Sequence, residues 1–157
     1  MSKKIKVYID TSVWNFALET ERPDCLITNE LLRFLKGNIE YAILISDLIK
    51  AEVDDAHEPR KHQLTALIER FDPVILQSTK EAFSLAEYYI SENLIPKKFT
   101  DDANHIAIAT VNMCEFLVSW NYKHIVRAKT IRGVHLINQK KGYNLIELVS
   151  PRELLGK

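Results

Sequence analysis

The sequence predicts an α/β fold: a three-layer α/β/α sandwich around a four- or five-stranded, mainly parallel sheet. Three observations lead there. Short β-rich runs alternate with amphipathic helical stretches, the pattern of parallel strands joined by helical crossovers. One run, Tyr41-Ala42-Ile43-Leu44-Ile45, is continuously apolar, as expected of a strand covered on both faces. No repeat, low-complexity tract or Pro/Gly/Ser linker breaks the order, so residues 1–157 read as a single domain.

The elements follow in turn. Ile5-Lys6-Val7-Tyr8-Ile9 is a first strand, after which Asp10-Thr11-Ser12 supplies turn and N-cap chemistry, with Thr11 and Ser12 read as caps. Leu26, Ile27, Leu31, Leu32, Phe34 and Leu35 recur at helical spacing from about Asp24 to Lys36, and Gly37 ends that helix. After the second strand, Ser46 caps a helix carrying Leu48, Ile49, Glu52 and Val53. Pro59 to Phe71 is helical, Val74-Ile75-Leu76 is a short strand, and Thr79 to Asn93 is an amphipathic helix. Thr100 opens a further helix, Phe116-Leu117-Val118 is a strand, and a basic helical region is expected from His124 onward. Leu145 to Val149 is the last strand; Ser150-Pro151-Arg152-Glu153 has the form of a capping box with Pro at the first helical position.

Composition narrows the class. With 46% hydrophobic and 27% charged residues, a chain of this length can bury roughly 70% of its unfolded surface. No apolar run nears the roughly 20 residues that span a bilayer, and the basic start Met1-Ser2-Lys3-Lys4 is followed by too short an apolar stretch for a signal segment. A cytoplasmic protein without a membrane anchor is expected. Cys25 and Cys114 have no metal-ligand spacing and read as buried, unpaired thiols. The 21 basic and 21 acidic residues balance, which argues against a nonspecific nucleic-acid coat protein but not against an enzyme acting on nucleic acid.

In an open parallel sheet, ligands bind beyond the carboxyl ends of the strands. The first strand ends at Asp10, the second delivers the helix carrying Glu52, and the Phe116 strand ends in Ser119-Trp120-Asn121. Asp101 and Asp102 open the helix between. Several strand ends thus bring acidic or polar residues to one rim.

Taken in order, the blocks are strand-Asp10-Thr-Ser-Val-Trp, then Ser46 with Glu52, then Asp102-Ala-Asn-His-Ile-Ala, then Leu117-Val-Ser-Trp-Asn-Tyr-Lys-His-Ile125. Together they resemble the PIN-domain family, particularly toxin nucleases of the VapC type, over nearly the whole chain. The resemblance implies a PIN-like sheet flanked by helices, with carboxylates holding one or two Mg²⁺ or Mn²⁺ ions. On that basis Asp10, Glu52 and Asp102 are the metal ligands and catalytic acids. Asn121 stands where many members carry Asp and others Asn, beside Ser119. Thr11, Ser12, Ser119 and Asp101 take supporting or substrate-side roles. The implied activity is endoribonucleolytic cleavage of RNA, with a possible antitoxin as partner and a homodimer as the assembly. The chemistry is coherent: a hard divalent cation takes oxygen ligands, activates water and neutralises the attacked phosphate.

A catalytically silent PIN-like module that binds RNA or protein is the alternative function. A phosphohydrolase with Asp-x-Asp after its first strand is disfavoured by Asp10-Thr11-Ser12, and no phosphate-binding glycine motif exists. His105 is read as a hydrogen-bonded structural residue, and His57, His62, His124 and His135 as surface or packing residues. Trp14 and Trp120 read as core or rim packing. Lys123, Arg127, Lys129 and Arg132 line either a phosphate path or a solvated helix face. The expectation specific to the site is that Asp102, not Asp101, converges with Asp10 and Glu52 within reach of a shared ion.

Overall fold

The computed structural model describes residues 3–157; Met1 and Ser2, half of the basic start noted above, lie outside the described residues. Five strands form one sheet: β1 (Ile5–Ile9), β2 (Tyr41–Ser46), β3 (Val74–Leu76), β4 (Phe116–Val118) and β5 (Glu147–Val149). Every pairing is parallel and the spatial order is β3-β2-β1-β4-β5. Among the described residues, eight helices connect and flank them: α1 (Thr11–Phe16), α2 (Pro23–Lys36), α3 (Asp47–Asp54), α4 (Arg60–Phe71), α5 (Lys80–Ser91), α6 (Thr100–Val111), α7 (Ala128–Lys140) and α8 (Pro151–Leu155).

The strand order dictates the layering. From β1 the chain steps outward through β2 to β3, then returns past β1 to β4 and β5. Parallel crossovers are right-handed, so reversing the direction of travel moves the helices to the opposite face. Accordingly α1, α2, α3, α4 and α8 pack with one another, and α5, α6 and α7 form the other group. The reversal leaves a crevice at the carboxyl end of β1, between its neighbours β2 and β4, the place where such folds bind ligands.

Burial follows the same geometry. In β1 and β2 the first two residues are half-buried and the rest buried, so the carboxyl ends of the central strands lie deepest. Tyr8, Ile9, Trp14, Leu31, Leu32, Ile45, Ile49 and Ile106 are fully buried, each aliphatic side chain worth about 1.5–3 kcal/mol of transfer free energy. From Ala103 to Thr110, α6 is buried on all sides, which explains its lack of a polar face. Cys25 and Cys114 are buried and unpaired, as expected.

Local signals were mostly realised. Ser46 caps α3, Thr79 caps α5, and Ser150 with Glu153 forms the capping box of α8 behind Pro151. Two readings are corrected. Thr11 and Ser12 are not caps: Asp10 takes that position in α1, accepting the Val13 amide, and this frees both hydroxyls for other partners. No helix begins at His124. There, the Asn121 side-chain oxygen accepts the amides of Lys123 and His124, and its backbone oxygen accepts those of Ile125 and Val126. This side-chain-closed turn competes with helix, and α7 starts only at Ala128.

Gly133 permits close packing of α7. A Cβ there would stand 2.2, 2.7 and 3.0 Å from Leu94 Cδ2, Cδ1 and Cγ, and Leu94 is buried. Gly133→Ala gains about 1 kcal/mol of helix propensity but forces an overpacking cost of about 1–3 kcal/mol. A net destabilisation of about 1 kcal/mol is expected from denaturant midpoints. An unchanged or raised midpoint would show that Leu94 yields freely.

Candidate functional site

The crevice is furnished by five segments. The end of β1 carries Asp10, the first turn of α1 carries Thr11 and Ser12, and α3 carries Glu52. Asp102 and His105 stand on α6, and the turn after β4 carries Ser119, Asn121 and His124.

Asp10 is 4% exposed, and its Oδ1 accepts from Ser12 Oγ at 2.6 Å and from the Val13 amide at 3.3 Å. Ser12 Oγ in turn accepts the Trp120 amide at 2.9 Å and lies 3.4 Å from Ser119 Oγ, which accepts the Asn121 amide at 2.9 Å. The two serines thus tie the end of β1 to the end of β4. Burial holds the Asp10 carboxyl above its ordinary range; the nearby His105 and the Ser119, Ser12 and Val13 hydrogen bonds only partly offset it.

Glu52 reaches back from α3. Its Oε1 accepts from Thr11 Oγ1 at 2.6 Å and from His105 Nε2 at 2.8 Å. His105 Nδ1 lies 2.8 Å from the Tyr8 hydroxyl, which shares a 2.7 Å hydrogen bond with Ser46 Oγ, the cap of α3. This buried chain connects β1, β2, α3 and α6 and fixes the Glu52 side chain. Burial pushes the Glu52 carboxyl up, but the His105 hydrogen bond and charge, with Thr11, bring it below its ordinary value. Burial likewise pulls His105 down, and Glu52, Asp10 and Asp102 outweigh it, so the imidazole is held above its ordinary range.

Asp102 completes the group. Its Oδ2 accepts from Asn121 Nδ2 and lies near His124 Nδ1, both at 3.2 Å. The His124 ring packs against Phe99 with centroids 4.0 Å apart. Burial raises the Asp102 carboxyl despite the opposing His105, His124 and Asn121. Asp101 next door is exposed, and no side-chain hydrogen bond reaches it among the described residues. Of the adjacent pair, Asp102 faces the crevice.

Glu52 therefore bonds His105, Asp10 and Asp102 lie near enough to act on its charge, and each acid is anchored by hydrogen-bond donors. They do not close into the shared cage expected from the sequence: among the described residues, no three His, Cys, Asp or Glu side chains are grouped to hold a metal ion. The physical reason is local. Glu52 Oε1 is drawn to Thr11 and His105, and Asp102 Oδ2 to Asn121 and His124.

The donor chemistry nevertheless fits a hard divalent cation. All three acids offer oxygen, and among the described residues Glu52 Oε2 and Asp102 Oδ1 accept no hydrogen bond, while their second oxygens are anchored. Mg²⁺ commonly uses one or two carboxylates with water and phosphate filling the shell, so a closed three-residue cage is not a requirement.

Sequence reasoning missed two features here. His124 is buried and packs on Phe99, one of its two expected roles, but it is also a partner of Asp102; its place three residues after Asn121, in the turn that Asn121 closes, was the available signal. His105 is hydrogen-bonded as expected, but its partner is Glu52, and its position one turn after Asp102 on α6 pointed into the crevice. Trp14 and Trp120 are packing residues, their indole N–H groups donating to the Ile9 carbonyl and Thr28 Oγ1.

No protein-family model matches the chain, and no curated protein matches it. Solved structures do. A VapBC2 structure from Rickettsia felis, bound to a DNA fragment from its promoter, aligns with a TM-score of 0.60 at 16% identity, over 92% of this chain and 98% of that one. The fold is that of the VapC toxins. VapC20 of Mycobacterium tuberculosis, a sarcin–ricin loop cleaving toxin, aligns with a TM-score of 0.58 at 11% identity, over 75% of this chain and 92% of that one. DNA-bound VapBC from Salmonella typhimurium gives 0.58 at 14% identity, covering 94% and 98%. At such identities the VapC-like likeness speaks for the backbone architecture; the side chains must be argued from their own geometry. No described helix is long and apolar enough to cross a membrane.

Proposed function

We propose that this chain is a Mg²⁺- or Mn²⁺-dependent endoribonuclease, the toxin of a toxin–antitoxin pair, with Asp10, Glu52 and Asp102 holding the metal. The observation that carries the reading is the placing of three carboxylates around the switch point of a VapC-like sheet, each held by a hydrogen-bond donor. The loop-cleaving activity named for VapC20 supports RNA as the substrate class.

When bound, the cation supplies an activated water and neutralises the attacked phosphate. The chain's own residues do the positioning. Ser12 and the Val13 amide hold Asp10 Oδ1, while Thr11 and His105 hold Glu52 Oε1. Asn121 is not a ligand through its oxygen, which closes the turn; its Nδ2 orients Asp102.

Purified protein is expected to cleave single-stranded or looped RNA, whose backbone is accessible, in Mg²⁺ or Mn²⁺ and to stop in EDTA. Robust cleavage in excess chelator overturns the metal mechanism; RNA binding without cleavage in any divalent ion indicates the silent module instead.

An antitoxin partner and a homodimer belong to the same reading. Both VapBC structures are toxin–antitoxin assemblies, and here α2 exposes Leu26 (77%) and Phe34 (43%) while α5 exposes Phe83 (45%). Light scattering is expected to give twice the chain mass; a monomer at all practical concentrations removes the dimer.

A further inference from the structure

A groove of about 430 Å³ opens between the loop after α5 and the start of α7. Its charged lining residues are Lys97, Arg127 and Lys129, all cations, in a chain whose net charge is zero. Ile90 and Ile95 supply an apolar floor. One of the cations is built in. Arg127 donates through Nη2 to the Leu94 carbonyl at 2.6 Å and through Nε to Thr130 Oγ1 at 2.9 Å, so its guanidinium is fixed at the groove wall.

The groove adjoins the acids through the chain itself. Lys97 belongs to a short 3₁₀ turn ending at Phe99, whose ring packs on His124, the partner of Asp102. Arg127 lies three residues after His124. The groove thus places three cations next to the acidic site along the chain.

We propose that the groove binds backbone phosphates of single-stranded RNA flanking the cleaved bond. The identity of the polyanion rests on the ribonuclease reading above; the cationic groove does not. Arg127 presents a fixed donor plane suited to a phosphate, and Lys97 and Lys129, both exposed, act as mobile point charges. Each phosphate neutralised on a single strand contributes a slope of about −0.7 to the dependence of log affinity on log salt.

The test uses the intact chain in EDTA, where the proposed cleavage is off, and reads fluorescence anisotropy of a short labelled single-stranded RNA across salt concentrations. Lys97→Gln/Lys129→Gln is expected to weaken binding about tenfold and flatten the salt slope by about 1.4, two contacts' worth. Lys80→Gln/Lys140→Gln, which removes the same charge away from the groove, is expected to leave both unchanged. Equal losses in the two double variants, or no RNA binding by the wild type, overturn the proposal. So does an acidic peptide that binds as tightly as the RNA and competes for the same lysines. Failure of the nuclease reading shows separately, as binding in EDTA without cleavage on adding Mg²⁺ or Mn²⁺.

Discussion

Asp10→Asn is expected to lower RNA cleavage by about a hundredfold to a thousandfold while leaving the protein folded. The magnitude is that of removing one pre-positioned electrostatic group from a reacting centre. The substitution keeps shape and an acceptor oxygen, so Ser12 Oγ and the Val13 amide retain their partner, and Asn caps a helix as well as Asp does. Burial already disfavours the Asp10 carboxylate, and a neutral amide avoids that cost. Stability should therefore hold or rise slightly in chelator. Initial rates on labelled RNA, paired with thermal midpoints, check both halves; a loss of folding that matches the loss of activity makes Asp10 structural.

The second large effect separates neighbours. Asp102→Asn is expected to remove metal-dependent cleavage to a similar degree, again about a hundredfold or more, whereas Asp101→Asn lowers it only modestly. Adjacent helical residues point about 100° apart, so they do not serve one site equally. The structure has already divided them: Asp102 is bound by Asn121 and His124 from the turn after β4, and Asp101 is exposed. Parallel rate measurements on the two variants decide it. Equal losses, or the larger loss at Asp101, reverse the assignment.

Much of this architecture was readable in the chain because its signals are local. Ser46, Thr79 and Ser150 announce helix starts through short-range capping, and the apolar run before Ser46 announces a doubly covered strand. Strand ends then pointed to Asp10 and to the helix carrying Glu52, since the carboxyl-end rule needs only chain order; Asp102, in the first turn of α6, rested on the resemblance. What the residues did not disclose is tertiary. Thr11 meets Glu52 41 positions away and His105 meets it 53 away, and no periodicity encodes such pairings. The place of β3 at the sheet edge, with Val74 and Ile75 exposed, likewise depends on the direction of crossovers. The early start assigned to the last long helix failed for a local reason: Asn121 closes a turn through its side chain, and basic residues after it carry no sign of that competition.

The claim that Asp10, Glu52 and Asp102 form a cation site is tested most directly by Mn²⁺ binding, followed by electron paramagnetic resonance on the wild type and three variants. The wild type should bind Mn²⁺, Asp101→Asn should retain it, and Asp10→Asn and Asp102→Asn should lose it while folded. A folded wild type that leaves Mn²⁺ free, or Asp10→Asn and Asp102→Asn proteins that bind it as well as the wild type, contradicts the account.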